Sequence, residues 1–308
     1  MKIKKVALVG FGAIGCIYAR NLSKKLGNDF AVIAGGKRAE KIRSNVVKVN
    51  GKPVVPQVIS PDDKNWKADL VIFTVKNYQL AKAIEDVKGI VTENTIFLPL
   101  LNGVTAHDQI KETFKNNTVL YGIALGIDAV RTDGGITNRN DGVINFGEAD
   151  NKNMSETVKE VKRVFDESEI TNTVCEDMIR AIWKKWMINV STNQLSAITK
   201  VGYGAFVSIP EMNEAMHQVM FEVIELAHKM RVNIQKEDAF EYDDILKTFD
   251  PDGKTSMLQD VENRRMTEVD YFAGTVIKFG KKAGVPTPWN DRIYLLIKGI
   301  EGNYKKLK

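Results

Sequence analysis

A strand that runs directly into three spaced glycines constrains this chain more than any other feature. Val6-Ala7-Leu8-Val9 leads into Gly10-Phe11-Gly12-Ala13-Ile14-Gly15, and a helical pattern continues through Leu22. In such a strand–turn–helix, Gly10 allows the tight turn, Gly12 lets main-chain amides approach a pyrophosphate, and Gly15 lets the helix pack closely on the strand. The start of the helix then turns its unpaired N–H groups toward the phosphates. The spacing predicts a dinucleotide held by Gly10, Phe11, Gly12, Ala13, Ile14 and Gly15; a glycine turn with no ligand is the alternative. The basic and then apolar start imitates a secretory signal, but its apolar run is short and broken by glycines, and no small-residue cleavage site follows, so it reads as a strand.

What surrounds the fingerprint agrees with it. Apolar runs at Lys5 to Val9, Phe30 to Ala34, Leu70 to Val75, Thr95 to Leu98 and Val119 to Leu125 alternate with helix-like segments. Runs apolar on both faces are what a parallel sheet covered by helices requires. The Gly-, Asn- and Asp-rich stretch from Asp128 to Gly147 reads as strands and turns that complete this half. Beyond Val174 the periodicity becomes helical, with Ser208 and Glu211 spaced as a capping box, and with Gly284, Pro286 and Pro288 marking a stop before a last helix from about Trp289. The expected architecture is an α/β, Rossmann-type N-terminal domain with a mainly parallel sheet over residues 1–172, followed by an all-helical domain over 173–308. A chain of 308 residues has room for both.

Composition narrows the function. A net charge of +5 is dispersed along the chain and provides no basic face for nucleic acid. No stretch approaches the eighteen or more apolar residues of a membrane helix. Two cysteines, Cys16 and Cys175, and three scattered histidines suggest neither a disulfide framework nor a metal site, and a reducing, cytoplasmic compartment fits best.

The dinucleotide type depends on the end of the second strand. An NAD site would carry an acid about twenty residues past the fingerprint to accept from the ribose hydroxyl, but here the sequence is Ala34-Gly35-Gly36-Lys37-Arg38. Lys37 and Arg38 would neutralise a 2′-phosphate, so NADP is expected over NAD; two cations on a solvated face are the bland reading.

The densest polar pattern in the helical half lies in Ile182-Trp183-Lys184-Lys185-Trp186-Met187-Ile188-Asn189-Val190-Ser191-Thr192-Asn193-Gln194. On an α-helix Lys185, Asn189 and Asn193 would share a stripe spanning about 80° and about 12 Å. Its flanks are mostly apolar, so one ammonium and two carboxamides need partners, at roughly 1 to 3 kcal/mol for each buried group left unsatisfied. Either Lys185 forms a salt bridge and the asparagines bond to the main chain, or the stripe faces a ligand. A second cluster runs from Thr255 to Glu262 and from Arg265 to Asp270; there Ser256 with Gln259 reads as a capping box, and Glu268 as a first-turn acid.

Together these residues resemble one family. Gly10-x-Gly12-Ala13-x-Gly15, Val75-Lys76, Asn102-Gly103, Trp183-x-Lys185 with Asn189 and Asn193, Ser256-Met257-Leu258-Gln259-Asp260 and Thr267-Glu268-x-Asp270 look like the ketopantoate reductases (2-dehydropantoate 2-reductases), from residue 1 to about 300. The resemblance implies a Rossmann domain joined to a helical domain with the active site in the cleft between them. It implies NADPH reducing the 2-oxo group of ketopantoate to pantoate, toward pantothenate and coenzyme A. The lysine matching Lys185 is then the general acid, supported by the glutamate matching Glu268. Asn189, Asn193 and Ser256 match residues that hold the substrate, while Lys76 and Asn102 match residues beside the cofactor and the reacting centre. A lysine suits this role, since it supplies both charge and a proton to a nascent alkoxide, and an ordinary lysine, with a pKa near 10.4, is protonated at neutral pH.

The chain departs from that pattern in three places. Gly35 replaces an arginine that often follows the second strand, which leaves the phosphate contact to Lys37 or Arg38. Gln194 stands where proline often follows the second asparagine, and Ala273 where asparagine often precedes the glycine matched by Gly274. A reductase for another small 2-oxo or 3-hydroxy acid, and a dinucleotide-binding protein without catalysis, are the competing readings. The expected partner is a small 2-oxo acid, not nucleic acid or membrane, and the apolar helices of the second half fit either a core or the interface of a homodimer.

Overall fold

Strand β1 (Val6–Val9) is buried along its whole length and sits in the middle of a five-stranded sheet. In this computed structural model, which describes residues 2–132 and 135–304, the chain divides into two units, 1–179 and 180–308. The first unit continues with α1 (Ala13–Leu26), β2 (Phe30–Ile33), α2 (Gly36–Ser44), β3 (Val47–Val49), β4 (Lys52–Val54), β5 (Gln57–Ile59), β6 (Leu70–Phe73), α3 (Leu80–Val87), β7 (Ile96–Pro99) and α4 (Ala106–Thr113). The sheet order is β5-β2-β1-β6-β7, and every pairing in it is parallel.

Its residues alternate between two cores, which is why the strands read as unbroken apolar runs. Val6, Leu8, Phe30, Val32, Leu70 and Ile72 pack with Ile17 and Leu22 of α1. Ala7, Val9, Ala31, Ile33, Val71 and Phe73 pack on the other face with Leu80 and Val87 of α3 and Ile110 of α4. Because the strands are parallel, the segments after β1, β2, β6 and β7 all leave the sheet at its carboxyl edge, where the strand order reverses direction around β1 and β6.

The rest of the unit comprises β8 (Tyr121–Leu125), β9 (Val130–Thr132), β10 (Gly135–Thr137), β11 (Val143–Gly147), α5 (Glu156–Glu167) and β12 (Asn172–Val174). The run from Val119 departs from its expected place in the parallel sheet. Only a single parallel bridge joins Val119 to Phe97, and β8 then turns antiparallel against β11. The hairpin of β3 and β4 turns at Asn50-Gly51, both at positive φ (50° and 77°), as a tight hairpin turn requires. β12 pairs parallel with β11, which places Asn172–Val174 in the first unit, whose last residue is Ile179.

The second unit is helical: α6 (Met178–Ile188, which starts just ahead of the boundary), a π-turn over Asn189–Asn193, α7 (Gln194–Thr199), α8 (Gly204–Ser208), α9 (Pro210–Lys229), α10 (Lys236–Leu246), α11 (Ser256–Glu262), α12 (Ala273–Ala283) and α13 (Pro288–Asn303). Gly284 ends α12 in the left-handed region, and Pro288 opens α13. The expected capping box at Ser208 does not form. Ser208 closes α8, its hydroxyl donating to the Gly204 carbonyl (2.9 Å), while Pro210, which has no N–H to cap, begins α9. No helix among the described residues is long and apolar enough to cross a membrane.

Candidate active site

The glycine turn has the form its sequence predicts, and each glycine answers to a different constraint. Gly10 has φ 110°, and a Cβ there would lie 2.6 Å from the main-chain carbon of Thr74 at the end of β6. A Cβ on Gly15 would stand 2.0 Å from the Gly10 carbonyl oxygen. Around Gly12 nothing lies within 4 Å of that position, and α1 begins there with no side-chain cap on its first N–H groups. Open space beside unpaired amides at a helix start is what a diphosphate requires, so these residues fit a dinucleotide. Thr74, which the sequence reading missed, fixes the turn by donating from Oγ1 to the Gly10 carbonyl (2.8 Å).

Neighbouring segments at the same sheet edge bring in the other candidates of this unit. Lys37 and Arg38 are exposed in the first turn of α2, which contains no acid and whose cap, Gly35, has no side-chain acceptor. Cations there oppose the helix dipole, and an anion would relieve the opposition. Lys76 follows β6, and Asn102 follows β7. The side-chain amide of the buried Asn77 donates to the Asn102 carbonyl (2.8 Å) and ties the two segments together. No sequence pattern marks Asn77, although it adjoins Lys76.

In the helical unit the polar run of α6 and the π-turn sorts into two groups. Lys184 forms a structural salt bridge, with Nζ 2.8 Å from Asp238 and 2.7 Å from Glu241, beside the Arg180–Asp238 pair at 2.7 Å. Ser191 Oγ donates to the carbonyls of Met187 (3.1 Å) and Ile188 (2.9 Å), Thr192 Oγ1 to Ile188 (2.7 Å), and Gln194 Nε2 to Val190 (2.6 Å). These bonds serve carbonyls where the helix widens to a π-turn, a feature not foreseen. Asn189 and Asn193 behave differently. Among the described residues neither side-chain amide hydrogen-bonds to another part of the chain, although Asn193 is only 5% exposed. The wider turn also reduces the rotation per residue, so Asn193 falls back toward the azimuth of Lys185 and does not drift around the helix.

Lys185 departs from the expectation of an ordinary lysine. Desolvation by the surrounding protein lowers its pKa to about 8, and the negative charge of Glu268 opposes that shift. Glu268 itself is buried in the turn that precedes α12. Trp186, next to Lys185, donates from Nε1 to the Tyr271 carbonyl (3.2 Å), and Gln194 Oε1 accepts from the Ala273 amide (3.1 Å). Two positions that depart from the family pattern, Gln194 and Ala273, are therefore hydrogen-bonded to each other.

The remaining polar cluster also separates. Thr255, not Ser256, caps α11, its hydroxyl accepting from the Leu258 amide (3.2 Å). Ser256 is the first helical residue and is exposed, which removes the structural reason for a serine at that position. Asp260 pairs with Arg265 (2.9 Å), and Asp270 accepts from the Tyr294 hydroxyl (2.8 Å).

Comparison with known proteins fits this geometry. Residues 6–151 match the family model of ketopantoate reductase PanE/ApbA, and residues 177–301 match that of its C-terminal region. A 2-dehydropantoate 2-reductase of Aquifex aeolicus is 28% identical over 313 positions, covering 97% of both chains. Among solved structures, a ketopantoate reductase of the same family from Ralstonia eutropha JMP134 superposes with TM-score 0.83 at 23% identity, covering 98% of this chain and 99% of that one. D-mandelate dehydrogenase, solved with NADH and anilino(oxo)acetate, reaches TM-score 0.86 at 24% identity with the same coverage. At those identities the two structures speak for the fold.

Proposed function

The chain belongs to the ketopantoate reductase family, and from that premise we propose that it reduces ketopantoate to pantoate with NADPH, with Lys185 as the general acid. The observation that carries the reading is the sorting of the Lys184–Gln194 run. Lys184, Ser191, Thr192 and Gln194 are engaged by the protein, while the amides of Asn189 and Asn193 are left for a ligand beside an ammonium of lowered pKa. An oxo acid bound there would give both amides direct hydrogen-bond partners.

The dinucleotide, when bound, supplies the hydride. Gly10, Gly12 and Gly15 with the first amides of α1 would grip its diphosphate, and Lys37 and Arg38 its 2′-phosphate. As hydride reaches C2, negative charge develops on the carbonyl oxygen. Lys185 stabilises that charge and transfers its Nζ proton to the oxygen, completing the alcohol, and then regains a proton from solvent. Its pKa of about 8 matches the task better than an ordinary lysine would, since an acid works best near the working pH. Glu268 keeps the lysine protonated at neutrality. Asn189, Asn193 and Ser256 orient the oxo acid, with Lys76 and Asn102 serving the cofactor side.

Steady-state assays with ketopantoate, NADPH against NADH, test substrate and cofactor together. NADPH and ketopantoate are expected to give the highest kcat/KM, and Lys185→Ala should lower kcat by about 10²- to 10⁴-fold while the protein still binds cofactor. A folded Lys185→Ala protein with parental turnover rules out its role. Higher kcat/KM for another 2-oxo acid, or for NADH, would move the assignment to a related reductase, and tight cofactor binding with no turnover on any oxo acid to a binding protein.

A further inference from the structure

We propose that Glu301, on the last helix, is a positioning residue that sets Glu268 against Lys185. The inference rests on the acid-pair reading above and extends it to a residue that touches neither partner in the reaction. Glu301 is 5% exposed, and a single oxygen of its carboxylate accepts from both the main-chain amide of Thr267 (2.8 Å) and its hydroxyl (2.7 Å). The same Thr267 hydroxyl accepts from the Val269 amide (3.3 Å). The residues on both sides of Glu268 therefore hang from one carboxylate oxygen.

The rest of that helix face serves the same turn. Lys298, one turn earlier on α13, places Nζ 3.0 Å from the other Glu301 oxygen and 3.3 Å from Asp270, and Tyr294 donates to Asp270 from a further turn back. Positions 294, 298 and 301 share one face of a helix. They hold Thr267 and Asp270 and leave Glu268 between those anchors. Burying a carboxylate is costly unless it is paired and bonded; Glu301 is bonded at one oxygen, to Thr267 beside Glu268, and paired at the other with Lys298. Without Glu301, the Thr267 amide and hydroxyl lose their acceptor, the turn relaxes, and the Glu268 carboxylate no longer holds its distance from Lys185. A shift of about 1 Å in a reacting constellation costs on the order of 10²-fold in rate.

The test compares Glu301→Ala, Glu301→Gln and Thr267→Ala in the full chain, with Glu268→Gln as reference, by kcat, KM and the pH profile of kcat/KM. Glu301→Ala should lower kcat by about 10²-fold with a smaller change in KM. It should also move the alkaline limb to lower pH, because Lys185 loses the support of Glu268. Glutamine keeps an oxygen that can accept from Thr267 but carries no charge, so Glu301→Gln should restore most of kcat and keep the limb in place. A limb that shifts equally in Ala and Gln would mean that the charge of Glu301 acts directly, and would overturn the positioning role. Thr267→Ala removes only the hydroxyl bonds and should show the same signature in smaller measure, which keeps the test decisive if Glu301→Ala fails to fold. Parental kcat and pH limb in folded Glu301→Ala and Thr267→Ala, with Glu268→Gln impaired, would refute the proposal. If Glu268→Gln itself were unimpaired, the acid-pair reading would fail and the proposal with it.

Discussion

Between Gly10 and Gly15 the chain offers main chain to a ligand, whereas between Lys185 and Asn193 it offers side chains. The first region works by leaving atoms out. A Cβ at Gly10 or Gly15 would collide with backbone, and at Gly12 the missing Cβ leaves open space beside the helix amides. The second region works by withholding partners. Ser191, Thr192 and Gln194 are bonded within the chain, whereas the side-chain amides of Asn189 and Asn193 hydrogen-bond to no other described residue. A main-chain site thus writes itself into sequence as glycines at fixed spacing. A side-chain site depends on which neighbours each polar group finds, and those are set by packing.

The sharpest way to break this contrast is inside the glycine turn. In Gly15→Ala the new methyl meets the Gly10 carbonyl oxygen at 2.0 Å, so the turn must distort. We expect a stability loss of about 1 to 3 kcal/mol or more, together with loss of dinucleotide binding. Gly12→Ala meets no protein atom within 4 Å and should melt like the parent, yet bind the dinucleotide much more weakly because the methyl occupies space kept for phosphate. Thermal melts with and without NADPH separate the two. Parental NADPH affinity in Gly12→Ala would mean that the phosphates do not lie over that residue.

The second difference between the regions is in their response to pH. With its pKa lowered to about 8 by desolvation, Lys185 is mostly protonated at neutrality and loses its proton as pH rises. If Lys185 is the proposed general acid, reduction needs its protonated form, and kcat/KM should be flat below about 8 and fall about tenfold per unit above it. Replacing Glu268 by Gln removes the charge that holds the proton, and the limb should move to lower pH. Residues 10–15 carry no titratable side chain, so dinucleotide affinity measured by fluorescence titration should stay level across that range. Affinity that fell in step with turnover would place the titrating group at the cofactor and not at Lys185.

Legibility follows the same division. The parallel strands were readable because each is buried on both faces, and the glycine turn because no other residues fit it. The short β5 and the β3–β4 pair escaped because three-residue strands interrupted by Pro53 and Pro56 carry too few apolar positions to show a period, although Asn50-Gly51 was a usable turn signal. Lys185, Asn189 and Asn193 stood out because a helical stripe is periodic; the pairing of Lys184 with Asp238 was not visible, since the two lie some fifty residues apart in sequence. The lowered pKa of Lys185 was hidden for the same reason, being a property of its surroundings. Glu301 carried no signal at all: nothing local links it to Thr267, and only folding brings them to 2.7 Å.

The smallest expected effect concerns Thr255 and Ser256, adjacent residues that the sequence pattern alone assigns the wrong way round. Both are hydroxyl-bearing and both precede an apolar helix, so either can be read as its cap. In the fold Thr255 is fully buried and its hydroxyl accepts from the Leu258 amide, while Ser256 faces solvent. Thr255→Ala should therefore lower stability by about 1 kcal/mol, the usual cost of a lost cap, with KM for the oxo acid little changed. Ser256→Ala should leave the melting temperature alone and raise that KM several-fold, because its hydroxyl has no structural duty. If instead Ser256→Ala destabilised the protein and spared KM, the serine would belong with Ser191 and Thr192 as a structural hydroxyl, and the substrate would be held by the two asparagines without it.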